Sequence, residues 1–599
     1  MVARAGGACP AEESRMAETT EAGVQKMAGA GSARSRTADV AAALAAILFL
    51  ATGIMGVWTA FDQASAWRRL ALIAAGMVLM VVIWGVGRVW GERALAWLAL
   101  GCAPAAGLLG AYFMLSFDWA GNGVKKLPGL YQVGLWIQAT RPAVPVPENL
   151  HPNVAASGLS LLICLGAGGL IWLWLRRRGW VHKLLAALAA LALAAAGLAL
   201  VFTVARGAWL GLVAGILAAA YRRWQSRGQH SATARWLVRA LAAVAVIGMA
   251  VALWLALTSS AFTPAGGGSN TVVNRLALWQ HALDLIRDYP FTGSGLGSTM
   301  MVHAVYVMLI HVGFIPHMHN LFLQIAIEQG IFGLAAFLIL LALALWRAWL
   351  AARSSGGILA LAAAAAAIAM IVHGLADAGL YASRMVPLMF LPIGFGLGLT
   401  RPDPTPARRR LMPAILIVAL SPAIALLLLL PFTRAAWQAN LGAVEQSRIE
   451  LSRYHWPKPR FIDQVRRESA SDLAPAIAHY RAALALNPGQ ATANRRLGQI
   501  ELSLGEYEAA RQHLQRAYQT APGQQATRAS LGESYAIAGQ SDEAIRLWRS
   551  VSNQLWWDFD WLLQQSLQLR WAWYRSLREN KRAEGIRQAG IEMGFKIGR

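Results

Sequence analysis

An all-α, polytopic helical membrane protein is the fold class this sequence predicts, on three observations. Of the 599 residues, 57% are hydrophobic and only 14% are charged, far more apolar than an ordinary soluble domain. The apolar residues fall in runs close to the roughly 20 that a helix needs to cross a bilayer. The basic residues sit in short clusters between those runs, as the positive-inside rule requires. A β-barrel would need short alternating segments, and the sequence has none. The formal net charge of +24 therefore indicates no nucleic-acid partner, since binding needs the charge gathered on one face. Cys102 and Cys164 lie in apolar runs and Cys9 in the N-terminal tail, a pattern with neither a disulfide framework nor zinc spacing.

In chain order, residues 1–37 are rich in Ala, Gly, Ser, Glu and Arg, with no apolar core. They read as a disordered cytoplasmic tail without a secretory signal. Residues 38–431 form the transmembrane domain. It holds about eleven spans (ten to twelve), near 40–60, 70–89, 94–117, 155–175, 184–204, 208–221, 237–257, 319–346, 357–376, 385–400 and 411–431. The basic clusters at 176–183, 222–239, Arg347 to Arg353 and 401–410 then share one side, which the positive-inside rule makes cytoplasmic. Arg68 and Arg69 fall on the other side. Outside the membrane lie the loop 118–154, the loop 258–318 and everything after Pro431. The run Trp209 to Tyr221 is short, and it forms half of a broken pair hinged at Ala205-Arg206-Gly207.

Residues 432–599 form an extracytoplasmic helical domain. Asn487-Pro488-Gly489 recurs as Ala521-Pro522-Gly523, Leu497-Gly498 as Leu531-Gly532, and Ala510 as Ala544, each 34 residues on. This is the period of tetratricopeptide repeats, which these units resemble. The aromatic segment 555–565 is a terminal cap or an interfacial anchor. Stacked repeats of this kind make concave surfaces for a protein partner, or serve as a spacer.

The chemistry concentrates between Thr271 and Leu334, where a large outer loop runs into a membrane helix. Arg206 sits between two apolar helices; a snorkelling side chain is the plain reading, and an anion clamp the functional one. Arg275 opens an amphipathic segment with Leu276, Trp279, Leu283 and Ile286 at helical spacing. That spacing expects a helix lying on the membrane, bringing a second phosphate contact. His319 begins the next membrane helix, where an imidazole suits proton transfer from an acceptor hydroxyl. Arg206, Arg275, Trp279 and Asn320 are the expected substrate contacts. Glu328 lies about two and a half turns into that helix and is expected to pair internally. His303, His311, His317 and His319 have irregular spacing and no carboxylate cluster, so no metal is expected. The turn Gly293 to Gly297 lacks the strand and Lys-Ser/Thr of a phosphate loop and reads as a flexible turn.

These pieces resemble, in order, the O-antigen ligase and polymerase family of membrane glycosyltransferases. The resemblance rests on Asn149 to Ala156, on Arg206-Gly207-Ala208-Trp209, and on Asn274-Arg275 with Trp279, Tyr289-Pro290, Gly293, Gly295 and Gly297. It continues through His319-Asn320, Leu323, Glu328, Gly330 and Gly333. It spans about residues 40–431, and Ala205 stands where the family often has Ser. The resemblance implies an inverting enzyme that needs no metal or other cofactor and sits in the bacterial inner membrane. Its donor would be an undecaprenyl-diphosphate-linked glycan on the outer face, with Arg206 and Arg275 on the diphosphate and His319 activating the acceptor. The acceptor would be a glycan, a lipid or a protein, the last two distinguishing a ligase and a protein O-oligosaccharyltransferase from a polymerase. Two rivals stand outside the family. A lipid-linked glycan transporter would use Asp377 and His373 at an outer helix end, and an envelope scaffold would use the repeats.

Overall fold

The computed structural model describes residues 37–122, 128–141, 150–176, 179–226, 271–310, 313, 315–353, 357–399, 430–453, 461–468, 471–552 and 559–598. The tail 1–36, the expected span at 237–257, most of that at 411–431, the cluster 401–410, His311 and residues 555–558 of the aromatic segment lie outside the described residues. Among the described residues the protein is helices and turns, with no strand. Six helices are long and apolar enough to cross a membrane: α1 (Thr37–Thr59), α2 (Gln63–Val89), α3 (Gly91–Ser116), α4 (Pro152–Leu175), α5 (Trp180–Phe202) and α9 (Leu321–Ala351). Between α5 and α9 come α6 (Arg206–Ser226), α7 (Thr271–Asp288) and α8 (Thr299–Tyr306). Two shorter apolar helices follow, α10 (Ile358–Gly374) and α11 (Leu391–Gly398). The protein is thus an all-α polytopic membrane protein.

Small residues set the bundle's packing. A Cβ on Gly211 or Gly215 of α6 would stand 2.6 Å and 2.4 Å from the carbonyl oxygens of Ala369 and Ala365 on the Ala-rich α10. Only glycine permits so close a backbone approach, the usual device for membrane helix pairs. The break after α5 falls where the hinge was expected. Thr203 to Ala205 form a turn, with Val204 at φ 51°, and α6 starts afresh at Arg206.

Two expectations about charge change. Arg347 belongs to no loop, because α9 continues to Ala351 and holds Arg347 buried against Asp39 at 2.7 Å, beside Arg88 on the same carboxylate at 2.5 Å. At the opposite end of the bundle, Arg69 is the internal partner of Glu328. Its Nε lies 3.3 Å from Oε2 of that carboxylate, and its guanidinium also donates to the carbonyls of Tyr381 and Ala382. Arg69 departs from the positive-inside pattern because it neutralises a buried acid rather than facing solvent. Glu328, 1% exposed, also accepts from Gln324 and Thr299 at 2.7 and 3.2 Å.

The Gly293 to Gly297 turn is pinned rather than flexible. Ser294 N–H donates to the Ile327 carbonyl at 2.7 Å, Leu296 N–H to Gly56 at 2.9 Å, and Ile331 N–H to Pro290 at 2.9 Å. Gly293 (φ 71°) and Gly330 (φ 73°, inside α9) interlock. A Cβ on either would lie 2.4 Å from the facing backbone, and both adopt the left-handed region that glycine tolerates. The turn is therefore a joint that fixes the outer loop to the kink in α9.

After the bundle come α12 (Pro431–Leu451), α13 (Ile462–Arg467), α14 (Ala474–Leu486), α15 (Ala491–Leu504), α16 (Tyr507–Thr520), α17 (Gln525–Ala536), α18 (Ser541–Ser552), α19 (Phe559–Ser576) and α20 (Asn580–Glu592). Positions 34 residues apart do equivalent jobs: Gly498 of α15 packs on Leu514, and Gly532 of α17 on Trp548. The polar face of α15 and α17 is covered by the chain's own outer loop. Asp288, at the end of α7, is 1% exposed and accepts from Arg495 at 2.5 Å, Arg496 at 2.8 Å and Thr492 at 2.9 Å. Arg496 stacks 3.8 Å over the Tyr306 ring, and Arg466 and Tyr306 converge on Glu450, each at 2.8 Å. His281 of α7 bridges to His303 at 3.0 Å and to Gln525 at 2.8 Å. Asn440 of α12 accepts from the backbone of Phe291 and Thr292.

Those contacts fall on one face of α7. Its buried face is Ala277, Leu278, His281, Ala282 and Leu285. Of the apolar stripe read from the sequence, Leu283 is 47% exposed, Leu276 is half-buried, and Trp279 and Ile286 pack partly buried against the core beneath.

Candidate active site

Five chain segments meet at the end of the bundle where α7 and α8 lie. The first is the start of α4. His151 caps it by accepting from Asn153 N–H at 3.2 Å, and Pro152 takes the first helical position, where its missing N–H is not needed. The second is the start of α6, which presents an exposed Arg206. The third is the first turn of α7, which brings a half-buried Arg275. The fourth is the passage into α9, with His317, His319 and Asn320. The fifth is the end of α10, with His373, followed by Asp377.

Asp377 is the hub. It is 3% exposed and accepts from His319 Nδ1 at 3.2 Å, Asn153 Nδ2 at 2.8 Å and Gly379 N–H at 2.6 Å. His317 Nε2 stands 3.9 Å from its other oxygen. Burial pushes the Asp377 carboxyl up, but the hydrogen bond from His319 and the neighbouring imidazoles outweigh it and hold the group well below the usual carboxylate range. An ionised carboxylate only accepts, so His319 donates from Nδ1, which leaves Nε2 as the ring nitrogen not engaged by Asp377. The His319 side chain is 30% exposed. Its φ of 48° is the left-handed region that a non-glycine residue rarely adopts. Burial pushes the His317 imidazole down to about 4, against the Asp377 charge, so His317 is neutral at physiological pH.

Arg275 feels three influences: burial lowers its pKa, the Asp377 charge raises it, and the Arg206 charge lowers it. The two guanidinium groups and the Asp377–His319 pair thus share one electrostatic neighbourhood. Both arginines stay charged, since guanidinium does not deprotonate in proteins. Of the remaining expected contacts, Trp279 lies one turn after Arg275 on the same helix face. Asn320 is taken up by the fold. It caps α9 by accepting from Phe322 and Leu323 N–H at 3.0 and 3.1 Å, and it donates to the Leu375 carbonyl at 3.2 Å. His303 is remote from the cluster and buried with His281.

Sequence reasoning missed Asp377 as the partner of His319. The available signal was an acid just past an apolar helix, beside a second histidine at 373, and it was read as a mark of transport. The pairing joins residues 58 positions apart, so spacing alone does not reveal it. Asn153 was missed likewise, although its Pro-Asn passage was singled out.

Residues 191–338 match the family model described as O-Antigen ligase. No curated protein matches the chain. The matched region holds Arg206, Arg275 and His319 together, while Asp377 and the C-terminal helices lie beyond it. The chain is thus a helical membrane protein that carries, at residues 191–338, a region matching the O-antigen ligase family model.

Proposed function

We propose that the protein moves a glycan from undecaprenyl diphosphate to an acceptor hydroxyl on the outer face of the bacterial cell membrane, with inversion at the sugar. The observation that carries this reading is the His319 Nδ1 hydrogen bond to Asp377, with Arg206 and Arg275 in the same electrostatic neighbourhood. His319 Nε2 takes the proton of the acceptor hydroxyl, and that oxygen forms its bond to the anomeric carbon. The bond from that carbon to the diphosphate oxygen breaks, and the electron pair leaves with the diphosphate. The two guanidinium groups compensate the charge gathering there, the task that preorganised cations perform in phosphoryl chemistry. Asp377 positions the ring in the needed tautomer and stabilises the imidazolium, which then loses its proton to water. A lipid diphosphate is already a good leaving group, so positioning and charge compensation carry the catalysis, and two arginines supply that charge without a metal.

The test is glycan transfer in membranes, read by mass spectrometry of the glycan-bearing molecules. His319→Ala and Arg275→Ala each abolish transfer at unchanged protein level. Normal transfer by both variants overturns the proposal.

A further inference from the structure

We infer that His317, His319 and Asp377 form a binding site for a divalent transition metal of the zinc class, and that a metal held there shuts the transferase off. The first half rests on geometry alone. The second rests on the role proposed for His319.

One ligand atom from each of the three residues lies within 4.8 Å of the other two. His319 Nδ1 lies 3.2 Å from Oδ2 of Asp377, and His317 Nε2 lies 3.9 Å from Oδ1 of the same carboxylate. A tetrahedral zinc ion with bonds of about 2.05 Å needs its ligands about 3.3 Å apart. One edge already fits, and the other two close by small turns of the carboxylate and of the two rings, whose centroids are 4.5 Å apart. Two imidazoles and one carboxylate, with an open fourth position, are a donor set that zinc favours. The carboxylate is held in advance by Asn153 and Gly379, the kind of outer support that orients a ligand. His317 lacks the matching support, because its Nδ1 is buried without a hydrogen-bond partner. The site is therefore regulatory in strength rather than structural.

Inhibition follows from the tautomer. The free enzyme keeps the His319 proton on Nδ1, facing Asp377. A metal on Nδ1 moves that proton to Nε2, so no proton leaves the ring, and the nitrogen meant for the acceptor hydroxyl loses its lone pair. The sequence pattern gave no warning of this site. The His-Met-His passage lacks an acid, and the fold supplies one from the far end of α10.

The experiment uses the full chain in detergent, without a polyhistidine tag, titrated with zinc chloride by equilibrium dialysis. Wild type binds one zinc ion that His317→Ala binds at least tenfold more weakly. In the transfer assay, zinc inhibits wild type and a chelator restores it. Measured against its own metal-free rate, His317→Ala tolerates at least tenfold more zinc than wild type does. Equal zinc binding by the two proteins overturns the site. Zinc binding with undiminished transfer overturns the inhibition, as does a chelator that abolishes transfer which zinc restores. If wild type shows no transfer under any condition, the functional proposal fails while dialysis still scores the metal site.

Discussion

Replacing Asp288 by Asn probes how the C-terminal helices hold the outer loop. Asp288 is the shared anion of two buried arginines, Arg495 at 2% and Arg496 at 0% exposure. Asparagine keeps the size but removes the charge, leaving two guanidinium groups in a low-dielectric interface. Breaking a buried ion pair from one side costs about 3–5 kcal/mol. Residual partners, the Tyr306 carbonyl for Arg495 and the Tyr289 hydroxyl and Tyr306 ring for Arg496, place the cost toward the lower end. At about 1.4 kcal/mol per tenfold, the population with α15–α18 undocked rises about 10²–10³-fold. The assay is limited trypsin digestion in detergent, following the rate at which the C-terminal fragment is released. Arg275 lies about 20 Å from Asp288 along the same helix, so glycan transfer falls as the digestion rate rises. Arg511→Ala, which removes only an exposed pair with Glu508, is the control and leaves both unchanged. A digestion rate for Asp288→Asn within threefold of wild type refutes the idea that this network clamps the loop.

Asp377→Asn leaves His319 without its anionic partner and lowers transfer by about 10²-fold or more at constant protein level; initial rates in membranes check it. Gly330→Ala forces a Cβ to 2.4 Å from the Phe291 carbonyl oxygen at a φ of 73°, so it reduces the yield of folded protein, read by size-exclusion chromatography. Acid weakens the loop–helix junction. Burial pushes His281 down to about 4, against about 6.5 in the unfolded chain. The unfolded chain therefore binds the extra proton first, and stability is lost as pH falls from about 6.5 toward about 4, by up to about 3 kcal/mol. Trypsin release of the C-terminal helices accordingly speeds up at pH 5 relative to pH 7.5, and a flat profile refutes it.

What the sequence determined by itself was whatever depends on local pattern. Apolar runs of membrane length placed the helices, because a backbone in lipid must satisfy its hydrogen bonds within the helix. Internal spacing of 34 residues gave the paired C-terminal helices, and Glu328, isolated in an apolar helix, had to have an internal partner. The tertiary structure decided what depends on distant segments meeting. It set Arg69 against Glu328, Asp377 against His319, and the outer loop against Arg495 and Arg496. It also set His281 and Asp288 of α7 against the C-terminal helices, on Gln525, Arg495 and Arg496. Charge pairs act through space over a few ångströms, and nothing in linear spacing records which helix ends the fold brings that close.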